Sequence, residues 1–401
     1  MPEGFGVSDD DLWKATQSQD LDTRADSLFE LGERFRNRED FVRASNVFAA
    51  ALDLYKSLDR LPEVVRSTHN LGFCLYRLDK YEDAISNLSW SLEYAKELND
   101  ASAIAYSGGP LADSLSALGR AEEAIEAYDL AVDAFVEIEE NFIAALNAKA
   151  VGDLHGQAGR PTRALECFIR SYNLFQLAGD AQGSARAKDR MAAALIDLGD
   201  YEQAISHLEG ALNVFQYIEE VERTAYTKYR IGWTYNLAEQ YDKAEAPLRE
   251  AIAWFRENEL WSRAALAETQ LCESLIFQDL KVENEEVKML LPRIIDYFEF
   301  AGEQANVISA TSLEASRLLH SGLFSQAVEA WSRLLVEAIN LGDSYYIGQV
   351  RLNLAEALVG DGQQSLAIEQ LSLLPLDAWK ENKPAMDRYQ TIRSSAEKSL
   401  I

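Results

Sequence analysis

The sequence predicts an all-α protein, a right-handed α-solenoid of about nine helical hairpins with N- and C-terminal capping helices. The first observation behind this prediction is a residue pattern that returns every 40 residues, with one step of 43, along most of the 401-residue chain. Its anchor is a small residue, found at Ala44, Ala84, Ala124, Ala164, Ala204, Ala244, Val287, Ala327 and Ala367. A fixed period of this length is typical of a stacked array, in which every unit buries its apolar face against its neighbours.

Two further positions of the pattern define a hairpin. Four residues after each anchor comes a large residue, at Phe48, Leu88, Tyr128, Phe168, Leu208, Leu248, Leu291, Trp331 and Leu371. Twelve residues before each anchor comes a residue that is small in all but one unit, at Gly32, Gly72, Ala112, Gly152, Ala192, Gly232, Leu275, Ala315 and Ala355. Steps of three and four residues stay on one helical face, so each unit is predicted to hold two helices. We expect the small residue of the first helix to face the small anchor of the second.

The turns between the predicted helices carry their own signal. Gly199 and Asp200 separate two helical patterns, and glycine tolerates the left-handed conformation in which helices often end. Pro161 opens another pattern, at a position where the missing N–H is harmless. These signals predict short, tight turns.

These residues resemble the tetratricopeptide repeat family, in which a small residue, a Leu or Tyr three residues later, a Tyr-x-x-Ala step and a large residue follow one another. One unit that shows this order contains Gly232, Tyr235, Tyr241, Ala244, Leu248 and Ala251. The resemblance covers about residues 25–385, but the usual unit has about 34 residues and this one has 40. The chain therefore resembles the long-repeat branch, found in spindle-orientation adaptors, kinesin light chains and bacterial peptide-sensing regulators. HEAT repeats have a similar length, lack the small-residue pairing, and stay as an alternative.

The pattern divides the chain into four predicted parts: an N-terminal cap segment at 1–24, six regular repeats at 25–264, three less regular repeats at 265–383, and a C-terminal capping helix at 384–401. In the first part, Ser8 is expected to cap a helix whose Leu12 and Trp13 pack on the first repeat. The alternative for the last part is a helix that associates with a partner or with a second copy.

Two repeats break the pattern. In the third, Ser107-Gly108-Gly109-Pro110 falls where the first helix should run, so we expect a kink or a late helix start, either as a tolerated irregularity or as a locally opened groove. In the seventh, a three-residue insertion near 277–284 predicts a longer and looser turn, and Pro292 lies inside the second helix.

Composition excludes several functions. The formal net charge of -28 disfavours nucleic acid and anionic membrane surfaces as partners. No stretch approaches about 20 unbroken apolar residues, as a membrane span requires. The segment before Asp10 lacks the features of a secretion signal, and the cysteines Cys74, Cys167 and Cys272 are too few and too scattered for a disulfide framework. We therefore expect a cytoplasmic protein.

The sequence contains no convincing catalytic or metal-binding constellation. A phosphate-cradling Gly-rich loop is absent, and the four histidines are scattered rather than placed at ligand spacing. His155 takes a position filled by Leu75, Leu115 and Leu195 in other repeats, so we interpret it as a core residue. We predict a non-enzymatic protein without cofactor or metal.

The resemblance implies that first helices line a concave surface where ligands bind, and that residues 18, 15, 14, 11 and 8 before each anchor face it. In repeats two to six these positions collect basic and aromatic residues, although the chain is acidic. The predicted partner-binding residues are Arg66, His69, Asn70, Phe73, Tyr76, Lys149, Arg186, Arg190, Tyr226, Tyr229, Arg230, Trp233 and Asn236.

Arg and aromatic residues are enriched in binding hot spots, and Arg pairs well with carboxylates. The predicted ligand is therefore a protein or peptide segment that is acidic and partly hydrophobic. In the alternative interpretation the basic residues pair with Asp113, Asp153 and Asp189 and only hold neighbouring repeats together.

The predicted function is that of an adaptor or scaffold for proteins or peptides, with binding in the concave groove. Two alternatives remain open from the sequence: a peptide-sensing regulatory receptor that acts through an effector protein, and a structural assembly subunit that associates with itself.

Overall fold

A computed structural model of the protein describes residues 9–278, 284–374, 376 and 383–398. These residues form helices and turns and contain no strand, which confirms the predicted all-α fold of consecutive hairpins. The helices are α1 Asp9–Ala15, α2 Leu21–Asn37, α3 Phe41–Ser57, α4 Leu61–Arg77, α5 Tyr81–Glu97, α6 Ala101–Ala117, α7 Ala121–Glu137, α8 Asn141–Gln157, α9 Pro161–Leu177, α10 Ala181–Asp197, α11 Tyr201–Tyr217, α12 Val221–Leu237, α13 Tyr241–Glu257, α14 Trp261–Gln278, α15 Glu285–Ala301, α16 Gln304–His320, α17 Phe324–Leu341, α18 Ser344–Gly360, α19 Gln364–Ser372 and α20 Lys383–Lys398.

Each predicted repeat consists of a first helix (α2, α4 and onward to α18) and a second helix that carries the anchor. The chain divides into two compact units, the first ending at Val214 and the second beginning at Phe215. Within the first unit, α4 packs against α6, and within the second, α12 and α16 pack on either side of α14. First helices of successive hairpins are therefore neighbours.

A common turn geometry ends the helices from α2 to α13. Each of these helices has 17 residues, and the second residue after each has a positive φ, at every twentieth position from Glu39 to Glu259. Four of these positions are glycines, and the others are Asp, Asn or Glu. After α4, for example, the Asp79 N–H donates to the Tyr76 carbonyl (3.0 Å) and the Lys80 N–H to the Leu75 carbonyl (2.9 Å). This pair of bonds satisfies carbonyls that the helix end would otherwise leave unpaired.

The close contact inside a hairpin involves the large residue four positions after the anchor. A Cβ placed on Gly72 would lie 2.7 Å from Leu88 Cγ, and one on Gly152 would lie 2.5 Å from Phe168 Cε1. The small residue of the first helix is thus covered by the large residue four positions after the anchor. The anchor also lies close by, since a Cβ on Gly232 would be 3.1 Å from the Ala244 carbonyl oxygen. The anchors Ala84 and Ala164 are fully buried in the same core.

The third repeat keeps its first helix. α6 begins at Ala101 and runs through Gly108 and Pro110, so the expected late start is wrong. A Cβ on Gly108 would lie 2.9 Å from Ala131 Cβ, so this glycine lets α6 approach α7 closely. Tight packing against α7 offsets the weak helix propensity of this segment.

The remaining irregular segments are described in part. Ser8 and residues 279–283 of the predicted longer turn lie outside the described residues. Leu12 is buried as expected, but Trp13 is 58% exposed, so its expected packing is wrong. The helix α15 starts with Asn284 as its cap, whose Oδ1 accepts from the Glu286 N–H at 2.9 Å.

Two glycines of α8 provide a matched test of the hairpin contact. We expect Gly152→Ala to cost about 1–3 kcal/mol of unfolding free energy, because the new Cβ would overlap the Phe168 ring. Gly156→Ala in the same helix should be neutral or stabilising by about 0.5 kcal/mol, because its Cβ would have only Ala164 Cβ near, at 4.0 Å. Urea unfolding followed by circular dichroism measures both. Equal effects of the two substitutions would contradict the packing described above.

The positive φ at the turns predicts opposite effects of two further substitutions. Glu139 has a φ of 62°, so Glu139→Gly should stabilise the chain by roughly 0.5–1 kcal/mol. Gly199 has a φ of 76° and an open space around its Cβ position, so Gly199→Ala should destabilise it by about 1 kcal/mol through backbone strain alone. Denaturant midpoints that move in the same direction for both variants would refute this account.

Candidate functional site

A pocket of about 710 Å³ opens on the first-helix face of the first unit. It extends along α2, α4, α6 and α8, so it collects residues from four consecutive hairpins. Aromatic and polar residues alternate around it: Arg36, Asn37, Glu39, Phe41, His69, Phe73, Tyr76, Arg77, Tyr106, Gly109, Pro110, Asp113, Phe135, Ile143 and Asn147. Three predicted site residues, His69, Phe73 and Tyr76, therefore lie in one pocket.

Arg77 is held at the rim of this pocket by aromatic rings. Its guanidinium carbon lies 4.3 Å from the centroid of the Phe41 ring and 6.0 Å from that of Phe73. The Phe73 ring contacts the Phe41 ring edge-on at 6.3 Å and the Tyr76 ring at 6.2 Å. Arg77 is exposed and makes no ion pair with any described residue, so its stacked guanidinium presents N–H donors to an incoming carboxylate.

His69 forms a neutral part of the pocket wall. Its Nδ1 lies 3.0 Å from Ser107 Oγ, which lies 3.3 Å from Ser91 Oγ. Burial, together with the charge of Arg36, lowers the pKa of His69 to about 4. The imidazole is therefore uncharged at neutral pH and contributes hydrogen bonding without charge.

A second pocket of about 480 Å³ adjoins the first, and the two share Arg36, His69 and Tyr106. Predicted site residue Arg66 lies here, exposed, 3.5 Å from a Glu63 carboxylate oxygen and with its guanidinium carbon 5.6 Å from the centroid of the Phe29 ring.

Asn70 is buried, and its Oδ1 accepts a hydrogen bond from Arg36. Its side chain therefore fixes α2 against α4, and Arg66 is the predicted residue of this pocket that is open to a ligand.

The predicted basic residues of α8 and α10 divide into two kinds. Lys149 Nζ donates to Asp153 Oδ2 at 2.5 Å, and Arg190 Nε lies 3.5 Å from Asp153 Oδ1. Asp153 thus links α8 to α10, as in the alternative interpretation of the sequence. Arg186 is exposed and has no salt bridge among the described residues, so it alone of the three is open to a ligand.

The second unit holds the other predicted residues. Tyr226 is exposed, with its ring 6.0 Å from that of Tyr229, and burial raises the pKa of Tyr229 to about 12. Trp233 is partly exposed, whereas Arg230 is only 7% exposed. Asn236 is buried, donates to the Gln270 carbonyl at 2.8 Å and accepts from Ser274.

Arg230 and Asn236 therefore serve packing within the second unit. The aromatic residues Tyr226 and Trp233 remain as the surface of α12 that a ligand could contact.

Asn147 is a pocket residue that the sequence analysis missed. Its Nδ2 is buried and has no hydrogen-bond partner among the described residues, and it would lie 3.7 Å from a Cβ on Gly109. An unpaired buried amide is costly, so a ligand carbonyl that accepts from it would be favoured. Asn147 directly follows Leu146, a position that the repeat register places on this face. The signal that could have identified Asn147 is Gly109 of the neighbouring helix, whose missing side chain leaves space beside the Asn147 amide.

The described residues offer little for metal or redox chemistry. They contain no group of three or more His, Cys, Asp or Glu residues that could hold a metal ion. Burial raises the pKa of Cys74 to about 11, so its thiol stays protonated. None of the described helices combines the length and the apolar character that crossing a bilayer requires.

Comparison with known proteins agrees with the fold. A family model described as tetratricopeptide repeat matches residues 183–257. A curated relative, the chloroplastic protein FLUORESCENT IN BLUE LIGHT of Arabidopsis thaliana, is 29% identical over 128 residues, which cover 32% of this chain and 39% of that protein. The chain thus spans about two fifths of the length of this relative.

Solved structures resemble the chain over longer stretches. The apo form of RapI matches with a TM-score of 0.58 at 15% identity, over 94% of this chain and 98% of RapI. Aspartyl phosphate phosphatase F of Bacillus subtilis matches with a TM-score of 0.50 at 14% identity, over 100% of this chain and 96% of that one.

A signal transduction ATPase of Pyrococcus horikoshii with a tetratricopeptide repeat sensor matches with a TM-score of 0.55 at 15% identity, over 72% of this chain and 45% of that one. The repeat pattern, the helical hairpins and these matches agree on the fold, and residues 183–257 are similar to the tetratricopeptide repeat.

The lowered pKa of His69 predicts a pH effect on stability. An unfolded histidine has a pKa near 6.5, so protons favour the unfolded chain below that value, and the stability from neutral His69 is present above pH 6.5 and lost as pH falls towards 4. Between pH 7.5 and 5.0 the wild type should lose about 2 kcal/mol more unfolding free energy than His69→Gln. Urea unfolding at both pH values measures the difference. The matched control is His320→Gln, at an exposed histidine, and a wild type and His69→Gln variant with the same pH dependence would contradict the prediction.

Proposed function

We propose that the chain is a non-enzymatic adaptor that binds a peptide segment of a partner protein on the first-helix face of the first unit. The observation that carries this proposal is the pocket along α2, α4, α6 and α8, which combines a stacked guanidinium at Arg77 with an unpaired buried amide at Asn147. Pockets that combine aromatic side chains with a few placed polar groups are typical of binding sites.

The chemistry of the pocket specifies the partner segment. Phe41 and Phe73 provide apolar contact area for a hydrophobic side chain. Arg77 favours a carboxylate beside that side chain, and Asn147 Nδ2 favours a main-chain carbonyl. The ligand is therefore a segment with a hydrophobic residue next to Asp or Glu, which is more specific than the acidic and partly hydrophobic segment that the sequence predicts.

The test requires the natural partner. Proteins from the native cell are captured on the immobilised chain and identified by mass spectrometry, and the purified partner is then titrated by calorimetry. We expect Arg77→Glu to weaken binding by roughly tenfold or more, because a carboxylate contact is replaced by repulsion. The control Arg163→Glu makes the same charge change on α9, where the exposed arginine pairs with Glu166, and should leave the Kd unchanged.

Further variants separate the possible binding faces. Asn147→Leu should also weaken binding, since it removes the unpaired donor, and Arg186→Glu tests whether the ligand extends to α10. Reversing Arg230 would disrupt packing and is unsuitable because this side chain is buried. A partner that binds wild type, Arg77→Glu and Asn147→Leu with equal affinity would overturn the proposal.

The proposal extends to compartment and assembly. We place the adaptor in the cytoplasm, because Cys74, Cys167 and Cys272 are free, as expected in a reducing compartment. Self-association is a separate proposal from the sequence, and sedimentation equilibrium across a wide dilution series decides it.

A further inference from the structure

A cleft of about 610 Å³ opens in the second unit between α15 and α17, with α16 as its floor. Apolar residues of all three helices line it, together with glutamates on each of them and a single arginine: Ile295, Glu299, Gln304, Val307, Ile308, Thr311, Glu314, Leu318, Gln326, Glu329, Ala330, Arg333, Leu334 and Glu337. None of these residues lines the pocket of the first unit, so the cleft is a separate surface.

The cleft lies above a division of the hydrophobic core. One core cluster of the second unit ends at Ala310, and the next begins at Ala315, in the same helix α16. Ile295 and Val307 pack on the first cluster, whereas Ile308 and Ala330 pack on the second. The floor is therefore apolar surface that neither cluster covers completely.

The neighbouring pair of second helices, α13 and α15, is joined by an ion pair. Arg249 of α13 reaches Glu286 of α15 with two hydrogen bonds, of 2.8 and 2.7 Å. Between α15 and α17, no salt bridge occurs among the described residues. Arg333 of α17 pairs instead with Glu329 of its own helix, so the walls of the cleft are not tied together.

One end of the cleft is strongly negative. Glu299 of α15 and Glu337 of α17 lie near the C-terminal ends of their helices, and neither has a salt-bridge partner among the described residues. The two helices run in the same direction, because α16 runs back between them. Neither has a basic residue in its last turn, so both carboxylates add to the partial negative charge of the helix ends.

We propose that this cleft binds an amphipathic helix of a partner protein, with apolar residues against the floor and a Lys or Arg between Glu299 and Glu337. The cleft follows α17 from residue 326 to 337, which spans roughly 16 Å at 1.5 Å per residue, the length of about three helical turns. A helix that places one apolar face in a groove is a common mode of peptide recognition. Since the chain carries a net charge of -28, attraction favours a basic partner over a second copy of the chain.

The test is a display selection of random 14-residue peptides on the full-length chain. Peptides that also bind Ala330→Trp, a variant that fills the cleft, are removed. We expect the remaining peptides to become helical on binding, to carry apolar residues at steps of three and four, and to end in Lys or Arg. A selection that yields no cleft-dependent peptide, or only acidic or extended ones, overturns the proposal.

Charge variants then test the basic end. For a selected peptide, Glu299→Gln with Glu337→Gln should weaken binding roughly tenfold at low salt, with a smaller loss at high salt. Glu257→Gln is the matched control, since it removes an exposed carboxylate from the end of α13, away from the cleft. Equal affinity for the wild type and the double variant would overturn the proposal. In a competition experiment, spermine is added to the complex of the chain with the selected peptide. If spermine displaces this peptide as well as unlabelled peptide does, the site recognises cations rather than helices, and the proposal also fails.

Arg77→Glu should leave peptide binding in the cleft unchanged. Failure of the cleft proposal and failure of the proposed adaptor function are therefore distinguishable.

Discussion

The contact between a small residue of the first helix and a large residue of the second sets the hairpin geometry on which the rest of the structure depends. At Gly72, Gly152 and Gly232 a Cβ would come within 2.5–2.7 Å of the residue that covers it, so only the missing side chain allows this approach. Helices of 17 residues and turns with a left-handed residue then repeat this arrangement in step. Because first helices of consecutive hairpins are neighbours, residues of α2, α4, α6 and α8 reach the same pocket.

Periodicity explains why the fold is predictable from the sequence and also where the prediction fails. The 40-residue period indicates a stacked array, and the small and large residues at fixed distances within each period indicate helical hairpins. It does not show that the large residue four positions after the anchor covers the small residue of the first helix, because that contact depends on side-chain geometry. Local propensity also misled at Gly108 and Pro110, because packing of α6 against α7 outweighs the preference of isolated residues.

The candidate site is predictable to a smaller extent. The register indicates which face of α4 carries His69, Phe73 and Tyr76, and these residues do line one pocket. It cannot show that Lys149 and Arg190 share Asp153, because that depends on side-chain geometry between helices 37 residues apart in sequence. The repeat period also does not predict that a charged residue such as Arg230 is buried.

Net charge and local chemistry act at different distances, so an acidic chain is compatible with the proposed site for an acidic segment. Solvent and salt screen the overall charge beyond about 10 Å, whereas contacts in a pocket act within 4 Å. The aromatic rings around Arg77 hold its guanidinium in place without neutralising it, so its positive charge stays open to a ligand. In the cleft of the second unit, the carboxylates of Glu299 and Glu337 have the same sign as the net charge of the chain, so both attract a basic segment. Under the two proposals, surfaces that prefer segments of opposite charge would allow one chain to hold two different partners, which is the physical requirement for a scaffold.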